Sequence, residues 1–80
     1  MAVLRLFAGA REAAGTAEAE LPGATVAEVL GAARERFGDG FADVLHHCQV
    51  WRNGEPTQLD AAVAADDEVA VLPPVSGGAG

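Results

Sequence analysis

The sequence predicts an α+β domain in which a mixed β-sheet packs against one main helix, with a flexible tail at its C-terminal end. Three observations predict it. Short strand-forming runs stand near both ends of the folded part, "AVLRLFA" early and "EVAVL" late. Between them "TVAEVLGAARERFG" carries the spacing and end signals of one amphipathic helix. Asn53-Gly54 then supplies a strong hairpin turn. Eighty residues make one domain, and one helix covering one face of a mixed sheet is the economical packing for this order of elements.

In the first run, Val3 and Arg5 share one parity and Leu4 and Leu6 the other, as in a strand with one buried face. "GAREAAG" lies between Gly9 and Gly15 and has room for one or two helical turns. "TAEAELP" alternates Ala17, Ala19 and Leu21 against Glu18 and Glu20, a half-exposed strand stopped by Pro22-Gly23. The main helix opens with Thr25 and Glu28, the spacing of a capping box. Val26, Val29, Leu30, Ala33 and Phe37 form its apolar face; Arg34 and Arg36 suit its C-terminal dipole, and Gly38 ends it. "FADVLHHC" reads as a short turn or helix-like crossing. Strands are expected over 48–52 and 56–59, the second short or at an edge because Pro56 has no N–H to donate. Asp66-Asp67 turns the chain into a final strand over 68–72, the most apolar of the set and therefore central.

Composition limits what the chain does. Twelve acidic residues against five arginines give a net charge of −7, which disfavours nucleic acid and suits a partner with a basic face. There is no lysine, so the chain offers no side-chain amine for an isopeptide bond or a Schiff base. One cysteine makes no disulfide framework, and no stretch has the pattern of a signal peptide or a membrane span. A soluble, cytoplasmic protein with a thin core is expected.

Few side chains suggest chemistry. Cys48 reads as a small core hydrophobe, and a nucleophilic role would need a base. His46-His47-Cys48 has poor spacing for a metal, so no metal site is expected. Trp51 is either core or an interface anchor. The tail differs. Pro73-Pro74 forces a stiff, extended exit from the sheet, and Gly77-Gly78 presents backbone without side chains, able to enter a slot too narrow for a Cβ. A stiff stalk with a thin tip suits a tethered reactive end, and the reactive group available there is a backbone carboxylate. That carboxylate becomes an electrophile on adenylation, and a sulfur nucleophile then converts it to a thiocarboxylate. Simple fraying of Val75 to Gly80 is the alternative reading.

At "DDEVAVLPPVSGG" the sequence resembles the MoaD/ThiS sulfur-carrier family, and within it most resembles the small subunit of molybdopterin synthase. "LRLFAGAREAAG", "TVAEVL" and "RNGEPTQLDAAVAADDEVAVLPPVSGG" extend the resemblance along the whole chain. It implies a β-grasp (ubiquitin-like) fold over residues 1–72 with an extended tail over 73–80. It implies no permanently bound cofactor, with ATP consumed by an E1-like (MoeB-like) activating enzyme that adenylates the C-terminus. A sulfur donor then makes the thiocarboxylate. A MoaE-like large subunit receives the tail, so that sulfur reaches the molybdopterin precursor, and the catalytic residues belong to that subunit. Gly78 matches the sulfur-bearing residue. Leu72, Pro73, Pro74, Val75, Ser76 and Gly77 match the threading tail, and Phe7 and Leu72 match the apolar partner surface; ordinary core is the other reading of Phe7. A carrier for thiazole or cysteine synthesis and a ubiquitin-like modifier are the alternative functions.

Two departures stand out. Asp66 replaces a glycine usual before "DEV", a change that Asp tolerates. More important, Ala79-Gly80 follow the diglycine and add about 7 Å of reach at most. Three readings are open: a trimming peptidase removes them, Gly80 is itself the reactive end, or they are foreign to the native chain. Trimming is preferred, because it restores the whole pattern.

Overall fold

A computed structural model of the chain describes residues 1–74. Period-2 apolar patterning produces the expected strands. In β1 (Ala2–Leu6), Leu4 and Leu6 are buried and Arg5 is exposed. The short helix α1 (Ala8–Ala14) follows at once and ends on Gly15, whose φ of 78° lets its N–H return to the Arg11 carbonyl. β2 (Glu18–Leu21) buries Ala19 and Leu21 and exposes both glutamates.

The main helix is α2 (Val26–Phe37). Its start shows the predicted cap in a shifted form. Thr25 Oγ1 accepts the Glu28 N–H at 3.2 Å, while the Glu28 carboxylate accepts from the Ala24 N–H at 2.8 Å, one residue earlier than in a capping box. The approach is tight: a Cβ on Gly23 would lie 2.7 Å from the Val29 nitrogen, so only glycine fits there. Val26, Val29, Leu30 and Ala33 are buried, as the spacing predicts, and Phe37 is half-buried.

The segment read as a short turn or helix-like crossing is a helix, α3 (Asp39–His46). Phe41 and Leu45, one helical turn apart, both enter the core, and the Phe41 ring sits 5.2 Å from that of Phe37. Tertiary burial therefore stabilises a helix that local propensity left open. The described residues thus hold three helices, with α2 the longest, where the sequence suggested a short helix, a main helix and a crossing.

After α3, β3 (Gln49–Arg52) turns through Asn53 and Gly54, whose φ values of 51° and 85° suit a type I′ hairpin, into β4 (Glu55–Pro56). β4 is shorter than the expected 56–59, for the reason Pro56 gave. The chain beyond it caps α2 instead: the Leu59 and Ala61 carbonyls accept the N–H groups of Ala27 and Val26 at 2.8 and 3.0 Å. β5 (Glu68–Leu72) then enters the middle of the sheet, as its composition predicts. The strand order is β2-β1-β5-β3-β4, with β1 and β5 parallel and the other neighbours antiparallel.

The core lies between this sheet and the helices. Leu4, Leu6, Val69 and Val71 meet Val26, Val29, Leu30, Ala33, Phe41 and Leu45 there. The start of β5 is fastened to the hairpin. Asp67 accepts from the Asn53 amide at 2.9 Å and from the Ala64 N–H at 2.8 Å, and Asn53 accepts the Glu68 N–H at 2.9 Å. The helices cover one face of the sheet and leave the other open.

Candidate functional site

Strand alternation assigns every second residue of the sheet to the open face. On β5 these are Glu68, Ala70 and Leu72, because Val69 and Val71 point into the core. Register extends the set across the sheet. Ala70 lies beside Arg5 of β1 and Trp51 of β3, and Leu72 lies beside Gln49. Trp51 is half-buried, and its indole N–H donates to the Gln49 side chain at 3.2 Å. Trp51 is therefore an open-face residue and not a core one.

Phe7 completes the surface. Leu6 pairs with Val71, and the ladder continues as the Phe7 N–H donates to the Val71 carbonyl at 3.2 Å. Phe7 is extended, with φ −129° and ψ 151°, so it takes the parity of Val3 and Arg5 and stands beside Leu72. It is 40% exposed, which excludes the ordinary-core reading. Phe7 and Leu72 are thus brought together at the end of the sheet where the chain leaves it. Pro73 and Pro74 follow, both exposed. Val75, Ser76, Gly77, Gly78, Ala79 and Gly80 lie outside the described residues.

The open face is divided by charge. Ala70, Leu72, Trp51 and Phe7 make an apolar region near the chain exit. Towards β2 the face turns acidic with Glu18 and Glu20, and Arg5 forms an ion pair with Glu68 across β1 and β5. The family resemblance points to Phe7 and Leu72. The sequence leaves Trp51 open between core and interface anchor and does not single out Ala70 and Gln49; the signal for Ala70 is present, since it alternates with the two core valines of β5.

The described residues hold no arrangement suited to catalysis. Burial pushes the Cys48 thiol up from its ordinary pKa, and its Sγ–H donates to the Val44 carbonyl at 3.2 Å. Both effects make the thiol less reactive than a free one. The Asp67 carboxyl is held below its usual pKa by the Ala64 N–H above all, and then by the Asn53 amide. It is a structural acceptor rather than a poised acid or base. Among the described residues no cluster of His, Cys, Asp and Glu could hold a metal ion, and no helix is long and apolar enough to cross a membrane. What the geometry offers is delivery: a central strand that runs through an apolar surface into a proline-stiffened exit.

Comparison with known proteins gives that geometry a context. The ThiS family model matches residues 4–78, stopping at the second glycine of the Gly77-Gly78 pair. Small archaeal modifier protein 1 of Haloferax volcanii is 44% identical over an 85-residue alignment that covers 92% of this chain and 97% of the relative. The solution structure of small archaeal modifier protein 1 from Methanosarcina acetivorans superposes with a TM-score of 0.86 at 29% identity, covering 96% of this chain and 95% of that one. A structure from Pyrococcus furiosus, described as a molybdopterin converting factor subunit 1, superposes with a TM-score of 0.78 at 27% identity, covering 92% and 97%. The fold is accordingly the ubiquitin-like β-grasp.

Proposed function

The chain belongs to the ThiS family, a family of ubiquitin-like sulfur carriers and small modifiers, and from that premise we propose that it carries sulfur on its C-terminal glycine for molybdopterin synthesis. An activating enzyme joins the terminal carboxylate to the α-phosphate of ATP and releases pyrophosphate. Hydrosulfide, or its equivalent from a sulfur donor, attacks the acyl carbon; AMP leaves, and a thiocarboxylate remains. A MoaE-like subunit takes the tail into its active site and supplies the residues that move sulfur to the pterin.

One observation carries the reading. β5 is the central strand, and it leads from the apolar open face directly into exposed Pro73-Pro74. A partner seated on Phe7, Ala70, Leu72 and Trp51 is therefore already at the mouth of the tail. Docking and threading become one event, with the reacting carbon positioned by the docked body. The family match ending at Gly78 supports Gly78 as the sulfur-bearing residue after removal of Ala79-Gly80.

The test is intact mass after incubation with ATP, a sulfide source and the activating enzyme. The expected result is exchange of one terminal oxygen for sulfur on a chain ending at Gly78, and formation of the dithiolene when the large subunit and precursor are added. A chain lacking Gly77 to Gly80 should lose both while melting at nearly the same temperature, because the described core ends at Val71. A sulfur-loaded chain that no MoaE-like subunit accepts would rule out the molybdopterin role. The likeness to small archaeal modifier protein 1 favours a second reading, that of a protein modifier. Its signature would be tails joined to lysines of other proteins. This chain, having no lysine, would not be its own target.

A further inference from the structure

Asn53 is the only asparagine of the chain, and a glycine follows it. Both stand exposed at the tip of the β3–β4 hairpin. Before glycine, an asparagine side chain is most readily reached by the next backbone nitrogen, because glycine has no Cβ to hinder the approach. The space at Gly54 is open as well: a Cβ placed there would meet nothing within 4 Å.

The Asn53 side chain is committed elsewhere. Its Nδ2 donates to Asp67 Oδ1 at 2.9 Å, and its Oδ1 accepts the Glu68 N–H at 2.9 Å. Its backbone N–H donates to the Glu68 carbonyl at 2.8 Å. Asp67 is fixed in turn by the Ala64 N–H at 2.8 Å and by Arg52 at 3.5 Å. The Asn53 amide is thus held towards the start of β5. Closing onto the Gly54 nitrogen requires both side-chain hydrogen bonds to break. One of them goes to a carboxylate, the stronger kind. Tertiary contacts therefore withhold a solvent-exposed amide from its own neighbour, and a local opening of this corner releases it.

We propose that Asn53 is a site of spontaneous covalent modification, that the Asp67 corner sets its rate, and that the product unfastens the start of β5. In the opened corner the Gly54 nitrogen attacks the Asn53 side-chain carbonyl carbon and gives up its proton. A C–N bond forms, the bond to Nδ2 breaks, and the side-chain nitrogen leaves with the proton as ammonia. Water then opens the five-membered succinimide at either carbonyl, leaving aspartate or isoaspartate at position 53. The product has no Nδ2 to donate, and it sets a second carboxylate against that of Asp67. Like charges now repel where the amide and the carboxylate were bonded. The isoaspartate form also adds a backbone carbon to a two-residue turn. The modification acts on the strand that leads into the tail, and it is independent of what the tail carries.

The test follows the amide-to-acid mass change at one mildly alkaline pH, mapped to Asn53 by fragmentation so that Gln49 and Gln58 are excluded. The folded full chain should convert at least about tenfold more slowly than the same chain unfolded in urea. Asp67→Ala, checked as folded by circular dichroism, should convert about tenfold faster than the folded parent. Val29 is buried in α2 and makes none of the corner's hydrogen bonds. Val29→Ala weakens the core instead, so it should convert at close to the parent rate. Separately, Asn53→Asp should lower the urea midpoint at neutral pH, a readout that does not depend on how Asp67→Ala folds. Equal rates in the folded and unfolded parent, no acceleration in Asp67→Ala, acceleration as large in Val29→Ala, or an unchanged midpoint in Asn53→Asp would each overturn the proposal.

Discussion

Along β5 two sets of residues point in opposite directions and do opposite things. Val69 and Val71 are fully buried under the helices, whereas Ala70 and Leu72, one position along, are only half-buried on the open face. The closed side contains no buried polar or charged residue among those described. The open side mixes Trp51, Ala70 and Leu72 with Arg5, Glu68 and Gln49. Both sides are apolar where β5 crosses them, yet among the described residues only the closed side is covered. The difference teaches that apolar character along this strand is not one property. On one parity it holds an 80-residue fold together, and on the other it forms the surface proposed above for a partner.

The comparison breaks most visibly by removing a side chain from the covered side. Phe41 has no exposed surface and joins α3 to the core. Phe41→Ala should cost about 3–5 kcal/mol, a large share of what so small a domain has. Urea unfolding followed by far-ultraviolet circular dichroism measures it. A loss of less than about 1 kcal/mol would mean that α3 is an accessory and that the core does not depend on it.

The same experiment on the open side should invert the pattern. Phe7 is 40% exposed and stands beside Leu72 at the chain exit. Phe7→Ala should lower stability by about 1 kcal/mol or less, yet weaken binding of the large subunit by about tenfold to a hundredfold. Titration calorimetry with that subunit reads the second number. If stability fell as far as in Phe41→Ala while affinity held, the two faces would not be specialised as the geometry indicates.

How much of this was legible beforehand depends on the range of the interaction. Alternation in β1, β2 and β5 is local, so Leu4, Leu6, Ala19, Leu21, Val69 and Val71 announced the closed face directly. The Thr25 cap and the Asn53-Gly54 turn are local as well. β3 was harder. Val50 and Trp51 are adjacent and both apolar, so parity alone did not say which faced inward; the pairing of Val50 with Val71 decides it, and that pairing is long-range. α3 was legible only as a short turn or helix-like crossing, because its reason for being helical is the shared burial of Phe41 and Leu45. At the tail exit, the prolines were plain in the sequence, but the placement of Phe7 beside Leu72 required the parallel register of β1 and β5.

The smallest effect concerns neither face but the corner where β5 begins. Asp67 accepts from the Ala64 N–H and the Asn53 amide, with Arg52 nearby, and these partners depress its pKa. A carboxylate whose folded pKa lies below its unfolded value adds stability that is fully present above the ordinary carboxylate range. That stability disappears as pH falls through the folded value. Asp67→Asn should therefore be less stable than the parent at about pH 7, and the gap in urea midpoint should close as the pH approaches about 2. Phe41→Ala, by contrast, should keep its deficit at both pH values, since no proton is involved. A gap for Asp67→Asn that persisted unchanged in acid would show that the amide fails sterically rather than by charge, and that the start of β5 is held by shape alone.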